Sequence, residues 1–314
     1  MSDEAPLIAA IEAGGTKFVC AVGTGPNDLR DITRIATTTP EETLAGVTRF
    51  LSTMKSKHGP FAAIGVGSFG PIDLDRNSET YGYITSTPKP GWQFTKVVPM
   101  LQDRYHVPVA WDTDVNAAVL AEYLWGAGKD LDPLVYITVG TGVGGGVLVN
   151  GQLLHGLLHP EIGHLLVPPP QNSAAVQHEC HCPFHKSCVE GYICGPALAS
   201  RWGVKAESIP VDHPAWEEVA DVMAHALMNL SLSLSPRRFI LGGGVMSQEH
   251  ILPLVRGRLH ALNNHYLRAA EFDRTLDDFV VAPGLGNRSG LLGALALGKY
   301  ELDRHNGLHA PAGA

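Results

Sequence analysis

The stretch that decides the fold is Leu7-Ile-Ala-Ala-Ile-Glu-Ala-Gly-Gly-Thr-Lys-Phe-Val-Cys-Ala-Val22. Its two apolar halves are strand-like, and Gly14-Gly15 between them supplies a tight turn, so the stretch predicts a β-hairpin. The pattern returns in residues 134–149, where Gly140-Thr-Gly-Val-Gly-Gly-Gly146 separates two further apolar runs. We interpret the recurrence as an internal duplication in which one hairpin opens each half of the chain.

Strands and helices alternate through the rest of the sequence. Apolar runs predict strands at 62–67, 107–111 and 238–241, and helical patterns cover 116–125, 216–234 and 251–267. The 314 residues exceed what one hydrophobic core usually supports. We therefore expect an α/β fold of two lobes, an N-terminal lobe at 1–120 and a C-terminal lobe at 121–288, with a central ligand cleft.

Composition excludes several classes of partner. The formal net charge is -8 and the sequence has no cluster of Lys and Arg, so we predict that the protein does not bind nucleic acid. It also lacks an apolar run of the roughly 20 residues that span a bilayer. Because residues 1–6 are acidic and lack the basic start of a secretory signal, we expect a cytoplasmic protein without a membrane partner.

Three glycine turns predict phosphate binding, because glycine lets backbone N–H groups approach an anion closely. Ordinary tight hairpins also need glycine, so one turn alone would be weak evidence. The predicted phosphate-binding residues are Gly14, Gly15, Thr16 and Lys17 in the first turn, Gly140, Thr141 and Gly142 in the second, and Gly242, Gly243 and Gly244 in the third. None of these turns matches the Walker or Rossmann pattern.

The segment Trp111-Asp-Thr-Asp-Val-Asn116 places two carboxylates between a predicted strand and a predicted helix. Asp114 can be interpreted as the cap of that helix, since Asp is favoured at this position. It can also be interpreted as a general base at the carboxyl end of a strand, where α/β sheets bind ligands. Both interpretations stay open, and Asp112 is the second choice as base.

The segment Cys182-Pro-Phe-His-Lys-Ser-Cys188 predicts a structural zinc site. Two thiolates and two imidazoles close a tetrahedral shell, and Cys182, His185 and Cys188 have suitable spacing. The fourth ligand is His164, or else Cys180, His178 or His181. Four of the five cysteines lie in this region, which favours metal binding over disulfides in a chain without an export signal. Zinc would fix the loop at 161–190.

Four further polar side chains are candidate contacts for a polyol ligand. Glu161 and Glu190 lie close in sequence to the predicted zinc ligands, so a bound metal would orient both acids. Ser68 and Asp73 follow a predicted strand end. Exposure to solvent is the usual fate of glutamate and is the alternative interpretation. A site that pairs each sugar hydroxyl with a polar group would reject analogues that lack one.

These motifs together resemble the ROK family of sugar kinases, and in particular its bacterial fructokinases. Residues 11–17 resemble the family's first phosphate loop, 140–145 its second, and 112–118 its catalytic motif. The resemblance implies an actin-like (RNase H-like) ATPase fold, with the first lobe rejoined by a helix near 289–301. It also implies ATP and Mg²⁺ as cofactors beside Zn²⁺, a small-molecule sugar as substrate, and a homodimer.

The resemblance also implies roles for individual residues. Asp114 would take the proton from the sugar hydroxyl, and Thr113, Glu161 and Glu190 would hold the sugar. His164 would bind zinc and border the sugar. The imidazole of His185 stands where the family's glucokinases have a thiolate, which is similar to the fructokinase branch. The resemblance therefore implies a fructokinase, with a glucokinase, a mannokinase or a non-catalytic sugar sensor as alternatives.

Overall fold

The structure is a computed structural model that describes residues 5–171, 173–270, 272 and 276–307. The chain forms two compact units. Unit 1 comprises Met1–Ala121, His155–His159 and Arg288–Ala314, and unit 2 comprises Glu122–Leu154 and Pro160–Asn287. The start of the N-terminal segment, on which the expected location in the cell rests, lies outside the described residues.

Strands and helices alternate as the sequence predicts. The strands are β1 (Ile8–Ala13), β2 (Lys17–Gly25), β3 (Asp28–Ala36), β4 (Ala63–Ser68), β5 (Tyr83–Ile84), β6 (Thr95–Lys96), β7 (Val109–Thr113), β8 (Leu134–Val139), β9 (Val143–Val149), β10 (Gln152–Leu153), β11 (Arg238–Gly242) and β12 (Val280–Val281). The helices are α1 (Pro40–His58), α2 (Val98–Tyr105), α3 (Asp114–Trp125), α4 (Val189–Ile193), α5 (Gly195–Trp202), α6 (Ala215–Leu234), α7 (Ile251–Asn263) and α8 (Ser289–His305). Short 3-10 helices cover Ile162–His164, Ala206–Ser208 and Gly286–Arg288.

Unit 1 is built on a five-stranded sheet in the order β3-β2-β1-β4-β7. The predicted hairpin is present, with β1 and β2 antiparallel around the turn at Gly14 and Gly15. Strand β3 continues the antiparallel side, whereas β4 and β7 join β1 as parallel strands. The carboxyl ends of β1, β4 and β7 therefore lie along the same edge of the sheet.

Unit 2 repeats this arrangement. Its sheet has the order β10-β9-β8-β11-β12, with β8 and β9 forming the second predicted hairpin. Strand β10 extends the antiparallel side, and β11 and β12 are parallel to β8. The two sheets therefore share the same strand order and direction, in agreement with the duplication that the sequence indicates.

Helix α8 belongs to unit 1 and packs directly against its sheet. A Cβ atom at Gly65 of β4 would overlap the carbonyl group of Ala294, and a Cβ atom at Gly293 would overlap the backbone of Ala117 in α3. Glycine at these two positions allows the helix and strand backbones to approach closely. This contact fixes the position of α3, the helix that follows β7.

Each unit has its own hydrophobic core. In unit 1, Trp92 is fully buried beside Phe18 and Phe69, and its indole N–H donates to the carbonyl of Thr38 at 2.8 Å. In unit 2, Trp216 is buried, and its indole N–H donates a hydrogen bond to the carbonyl of Pro210. Among the described residues, no helix combines the length and apolarity that crossing a bilayer requires.

Two helix boundaries differ from the sequence prediction by more than one residue. Helix α3 begins at Asp114, two residues earlier than the predicted 116–125, because the chain turns into the helix directly at the end of β7. Helix α7 ends at Asn263 instead of continuing to Leu267. Asn264 adopts a left-handed conformation with φ of 41°, which stops the helix.

Candidate active site and metal centre

The junction between β7 and α3 carries the candidate base. Thr113 is the last residue of the strand, and its Oγ1 accepts a hydrogen bond from the amide of Asn116 at 3.1 Å. This contact gives the helix a capping oxygen. Asp114 lies in the first helical turn, half-buried, and its Oδ1 accepts from the amide of Val115 at 2.9 Å. The field at the start of a helix stabilises a carboxylate at this position.

Asp112, the second candidate base, is engaged in structural hydrogen bonds. Its carboxylate is almost fully buried and accepts from the amide of Thr113 at 2.7 Å and from Asn116 Nδ2 at 2.8 Å. Its other oxygen lies 2.8 Å from His155 Nε2. The structure therefore brings Asp112 and Asp114 into one junction but gives them different surroundings.

The two polar residues at the end of β4 make hydrogen bonds within their own loop. Ser68 is fully buried, and its hydroxyl donates to the carbonyl of Phe69 at 2.9 Å. Asp73 accepts from the amide of Asp75 at 3.0 Å and from the hydroxyl of Thr80 at 2.6 Å. Burial acts to raise the pKa of Asp73, but these and neighbouring hydrogen bonds lower it overall. Their role as sugar contacts stays a prediction.

In the first glycine turn, Thr16 and Lys17 follow Gly14 and Gly15 in the sequence and are exposed to solvent. In unit 2, the second and third turns lie side by side. Gly243 has φ of 89° and packs against the backbone of Val139, the residue that leads into Gly140. The amide of Val245 donates to the Val139 carbonyl at 3.0 Å. The sequence places these two turns about one hundred residues apart, and the parallel pairing of β8 with β11 brings them together.

Glu190 links the second glycine turn to the candidate metal centre. Its Oε2 accepts from the amide of Val143 at 2.9 Å, at the end of the turn that contains Thr141 and Gly142. Its Oε1 lies 4.0 Å from Nε2 of His164. In the same turn, the carbonyl of Gly140 accepts from the amide of Gly195 at 2.8 Å. Helices α4 and α5 are thus each joined to the second turn by a hydrogen bond.

Glu161 and Glu190 lie close enough to interact. Partial desolvation raises the pKa of Glu161, and the negative charge of Glu190 raises it further. Glu161 immediately precedes the 3-10 helix Ile162–His164, whereas Glu190 lies in the first turn of α4. The two acids and His164 are therefore near one another within unit 2.

The structure brings together four side chains with metal-binding chemistry. The ligand atoms of His164, Cys182, His185 and Cys188 all lie within 4.8 Å of one another. Sγ of Cys182 lies 3.5 Å from Nδ1 of His185 and 3.8 Å from Nδ1 of His164. Sγ of Cys188 lies 3.9 Å from the same His164 nitrogen. Nitrogen and sulfur ligands of a tetrahedral zinc ion are separated by about 3.5 Å, so the donor set fits zinc.

Three alternative ligands occupy other positions. Sγ of Cys180 lies 4.0 Å from Sγ of Cys188, but Cys180 is not among the grouped ligands of the described residues. His178 and His181 are exposed and are not among the grouped ligands of the described residues. The grouped set is completed by His164, the first of the four candidates from sequence.

A buried ion pair that the sequence analysis missed supports the loop. Arg201 in α5 is 1% exposed and pairs with Glu218 of α6. Its guanidinium also donates to the carbonyls of His178 at 2.8 Å and Glu179 at 3.1 Å, and it lies over the ring of Tyr192. The only sequence signal was an arginine among the apolar residues of a short helix.

His155 was also missed. It lies in the segment His155–His159, which packs with unit 1 although the chain on both sides belongs to unit 2. The histidine reaches Asp112 across 43 positions of sequence, so no local pattern indicates the pair.

The duplicated sheets and their glycine hairpins define the class of protein as an actin-like ATPase fold. The crystal structure of a ROK family glucokinase from Streptomyces griseus, in complex with glucose and AMPPNP, shares this fold. It is 25% identical to this chain and has a TM-score of 0.72, covering 94% of this chain and 99% of that one.

A sequence model of the ROK family matches residues 8–301, and the chain belongs to the ROK family. A fructokinase from Pediococcus pentosaceus is 41% identical over 296 residues, which cover 94% of this chain and 99% of the relative. A fructokinase from Zymomonas mobilis is 41% identical over 300 residues, which cover 95% of this chain and 98% of the relative.

Proposed function

We propose that the protein is an ATP-dependent fructokinase, which transfers the γ-phosphoryl group of Mg-ATP to O6 of fructose. The observation that carries this proposal is the 41% identity to fructokinases along nearly the whole chain. The duplicated actin-like fold and the carboxylate at the start of α3 support the same class of reaction. Glucose and mannose are the alternative substrates.

Asp114 is the proposed catalytic base. Its carboxylate lies half-buried in the first turn of α3, where it can accept the proton of the attacking hydroxyl. Phosphoryl transfer depends mainly on positioning and charge stabilisation, because the transition state spreads negative charge over the phosphoryl oxygens. A base held by a rigid strand-to-helix junction satisfies the positioning requirement.

The glycine turns are the proposed phosphate sites. Their backbone N–H groups, together with the side chains of Thr16, Lys17 and Thr141, can donate to the phosphates of ATP. Mg²⁺ neutralises phosphate charge during transfer. The second and third turns of unit 2 lie side by side, which supports their assignment to the nucleotide.

The proposed sugar contacts come from three segments of the chain. Thr113 and Asp114 are the proposed contacts at the β7–α3 junction, with Ser68 and Asp73 from the loop after β4. Glu161, His164 and Glu190 are the proposed contacts in unit 2. The proximity of Glu161 and Glu190 supports their assignment, because two carboxylates can accept hydrogen bonds from neighbouring hydroxyls.

Zinc is proposed at His164, Cys182, His185 and Cys188. A site with four protein ligands is closed, so the ion would supply folding free energy and no reactive water. It would hold the loop at 161–190, which carries Glu161 and Glu190. We also propose a cytoplasmic homodimer in which the lobes at 1–120 and 121–288, with the helix near 289–301 in the first lobe, are the functional domains.

A coupled assay of ADP release tests the function. The protein is mixed with ATP, Mg²⁺ and, in turn, fructose, mannose, glucose and their N-acetyl relatives. We expect the highest kcat/KM with fructose. A higher kcat/KM with glucose or mannose would reassign the substrate within the family. Thermal stabilisation by a sugar without any release of ADP would identify a sensor instead of an enzyme.

A further inference from the structure

The segment His155–His159 is held on unit 1 by a histidine at each end. His155 Nε2 lies 2.8 Å from Asp112 Oδ2. At the other end, the buried His159 accepts at Nε2 a hydrogen bond from the amide of Ile72 at 3.3 Å. The side chain of His155 is 42% exposed, whereas that of Asp112 is 5% exposed. One end of the segment therefore contacts the residue that precedes the β7–α3 junction.

Asp112 organises that junction through its other oxygen. Oδ1 accepts from the amide of Thr113 and from Nδ2 of Asn116, and the amide of Asn116 in turn donates to Thr113 Oγ1. These bonds connect Asp112, Thr113 and Asn116, the residues that flank Asp114 in the sequence. The Asn116 side chain is oriented by Asp112 and His155, since its Nδ2 lies 2.8 Å from Asp112 Oδ1 and 3.4 Å from His155 Nε2. Its buried Oδ1 has no hydrogen-bond partner among the described residues.

A buried carboxylate needs partners for both oxygens, because an unpaired buried charge is strongly destabilising. His155 is the partner for Oδ2 from outside the junction. The hydrogen bond with Asp112 raises the pKa of His155, which favours the charged imidazole as donor. Loss of His155 would leave Oδ2 without this donor, so Asp112 would turn towards water. This change would weaken its hydrogen bond with Asn116.

We infer that His155 is a positioning residue for phosphoryl transfer, acting through Asp112 and Asn116 on the orientation of Asp114. The inference rests on the proposed function. A displacement of about 1 Å at a reacting group can cost on the order of a hundredfold in rate. Because His155 acts on the base and not on the sugar, its loss should lower kcat and leave the KM for fructose nearly unchanged.

The test compares four variants by steady-state kinetics with fructose and Mg-ATP. His155→Ala removes the donor, His155→Gln keeps an amide N–H of similar reach, and His155→Asn is one methylene shorter. His58→Ala is the matched control, because it removes another histidine of unit 1 that pairs with an aspartate, Asp31, at 2.5 Å. Thermal unfolding of each variant measures any loss of stability.

We expect His155→Ala to lower kcat by about ten- to a hundredfold with KM within about threefold. His155→Gln should recover most of the loss and His155→Asn little, a comparison that remains available if His155→Ala does not fold. His58→Ala should keep wild-type kcat. Unchanged kcat in His155→Ala, equal kcat in the Gln and Asn variants, or a raised KM with kcat kept would overturn the inference alone. Absence of turnover in the wild type with every hexose would overturn the proposed function, and this inference with it.

Discussion

The two sheets share one strand order and differ in the residues that come directly after their parallel strands. In unit 1, β4 and β7 end in Ser68 and Thr113, and Asp114 comes next. In unit 2, β11 runs into Gly242, Gly243 and Gly244. The first sheet therefore has hydroxyl and carboxyl side chains at its edge, whereas the second has glycines without side chains. One duplicated scaffold can supply two kinds of chemistry when only the residues after the strands change.

The units also differ in how they hold these groups. Unit 1 fixes the β7–α3 junction with hydrogen bonds among Asp112, Asn116 and His155. In unit 2, Glu161 and Glu190 lie close in sequence to the grouped side chains His164, Cys182, His185 and Cys188. The buried ion pair of Arg201 and Glu218 lies in the same unit. The first unit should tolerate loss of metal, whereas the second should not.

The largest effect is expected from Asp114→Asn, which keeps the shape of the side chain and removes the base. We expect kcat with fructose to fall by about 10²–10⁴ while KM for fructose changes little. ADP-release kinetics measure both. The control is Asp103→Asn, a change of an exposed acid on α2. A kcat of Asp114→Asn within tenfold of the wild type would show that the side chains of unit 1 do not carry the chemistry.

Removal of metal should act on unit 2. Protein prepared without chelator is expected to contain zinc in elemental analysis, and stripping the metal should raise KM for the sugar before KM for ATP. His185→Ala should reproduce the loss, because it removes one of the four grouped ligands. His178→Ala should have no effect, since this exposed side chain lies outside the group. Zinc-free protein with full activity would contradict the proposed metal centre.

A smaller effect should distinguish two neighbouring glycines of unit 2. Gly243→Ala places a Cβ atom on a backbone with φ of 89° and against Val139, so we expect a loss of about 1–3 kcal/mol in unfolding free energy. KM for ATP should rise as well. Gly244→Ala is the control for stability, because nothing lies within 4 Å of a Cβ atom there. Urea unfolding of both variants checks the prediction, nucleotide kinetics of Gly243→Ala measure KM for ATP, and equal unfolding free energies would contradict it.

The smallest effect concerns pH. The hydrogen bond with Asp112 raises the pKa of His155, although partial burial of the imidazole opposes this. The added stability is complete below the unfolded histidine value of about 6.5, and it is lost as pH rises through the higher folded value. We expect the wild type to exceed His155→Gln in Tm by at most about 3 °C near pH 6, because the imidazole is partly exposed. The difference should shrink near pH 9, and a difference that grows with pH would contradict this sign.

Sequence reasoning found what local patterns encode. Both hairpins follow from apolar runs around glycine turns. The spacing of Cys182, His185 and Cys188 predicts their grouping, while zinc binding by this group stays a prediction. The contacts that local patterns do not encode join residues far apart along the chain. His155 and Asp112 are 43 positions apart, and Glu190 and Val143 are 47 positions apart. Only the folded arrangement of strands brings such pairs into contact.

The local start of α3 shows the same limit on a smaller scale. The sequence indicated Asp114 as a candidate cap, but the oxygen that accepts from the Asn116 amide belongs to Thr113. The capping residue therefore lies one position before the predicted one. The direction in which the chain passes from β7 into α3 determines which of the two side chains is the cap. Patterns of residue type predict where such a junction lies. They do not determine which of its side chains caps the helix.

The carboxylate of Glu190 has a thermodynamic consequence. One oxygen accepts from the amide of Val143, and the other faces His164. A carbohydrate that draws on this carboxylate competes with the peptide group at the end of the second glycine turn. Binding of the carbohydrate at Glu190 and binding of a ligand at the second glycine turn would then be linked. Each binding event would change the dissociation constant of the other by the same factor.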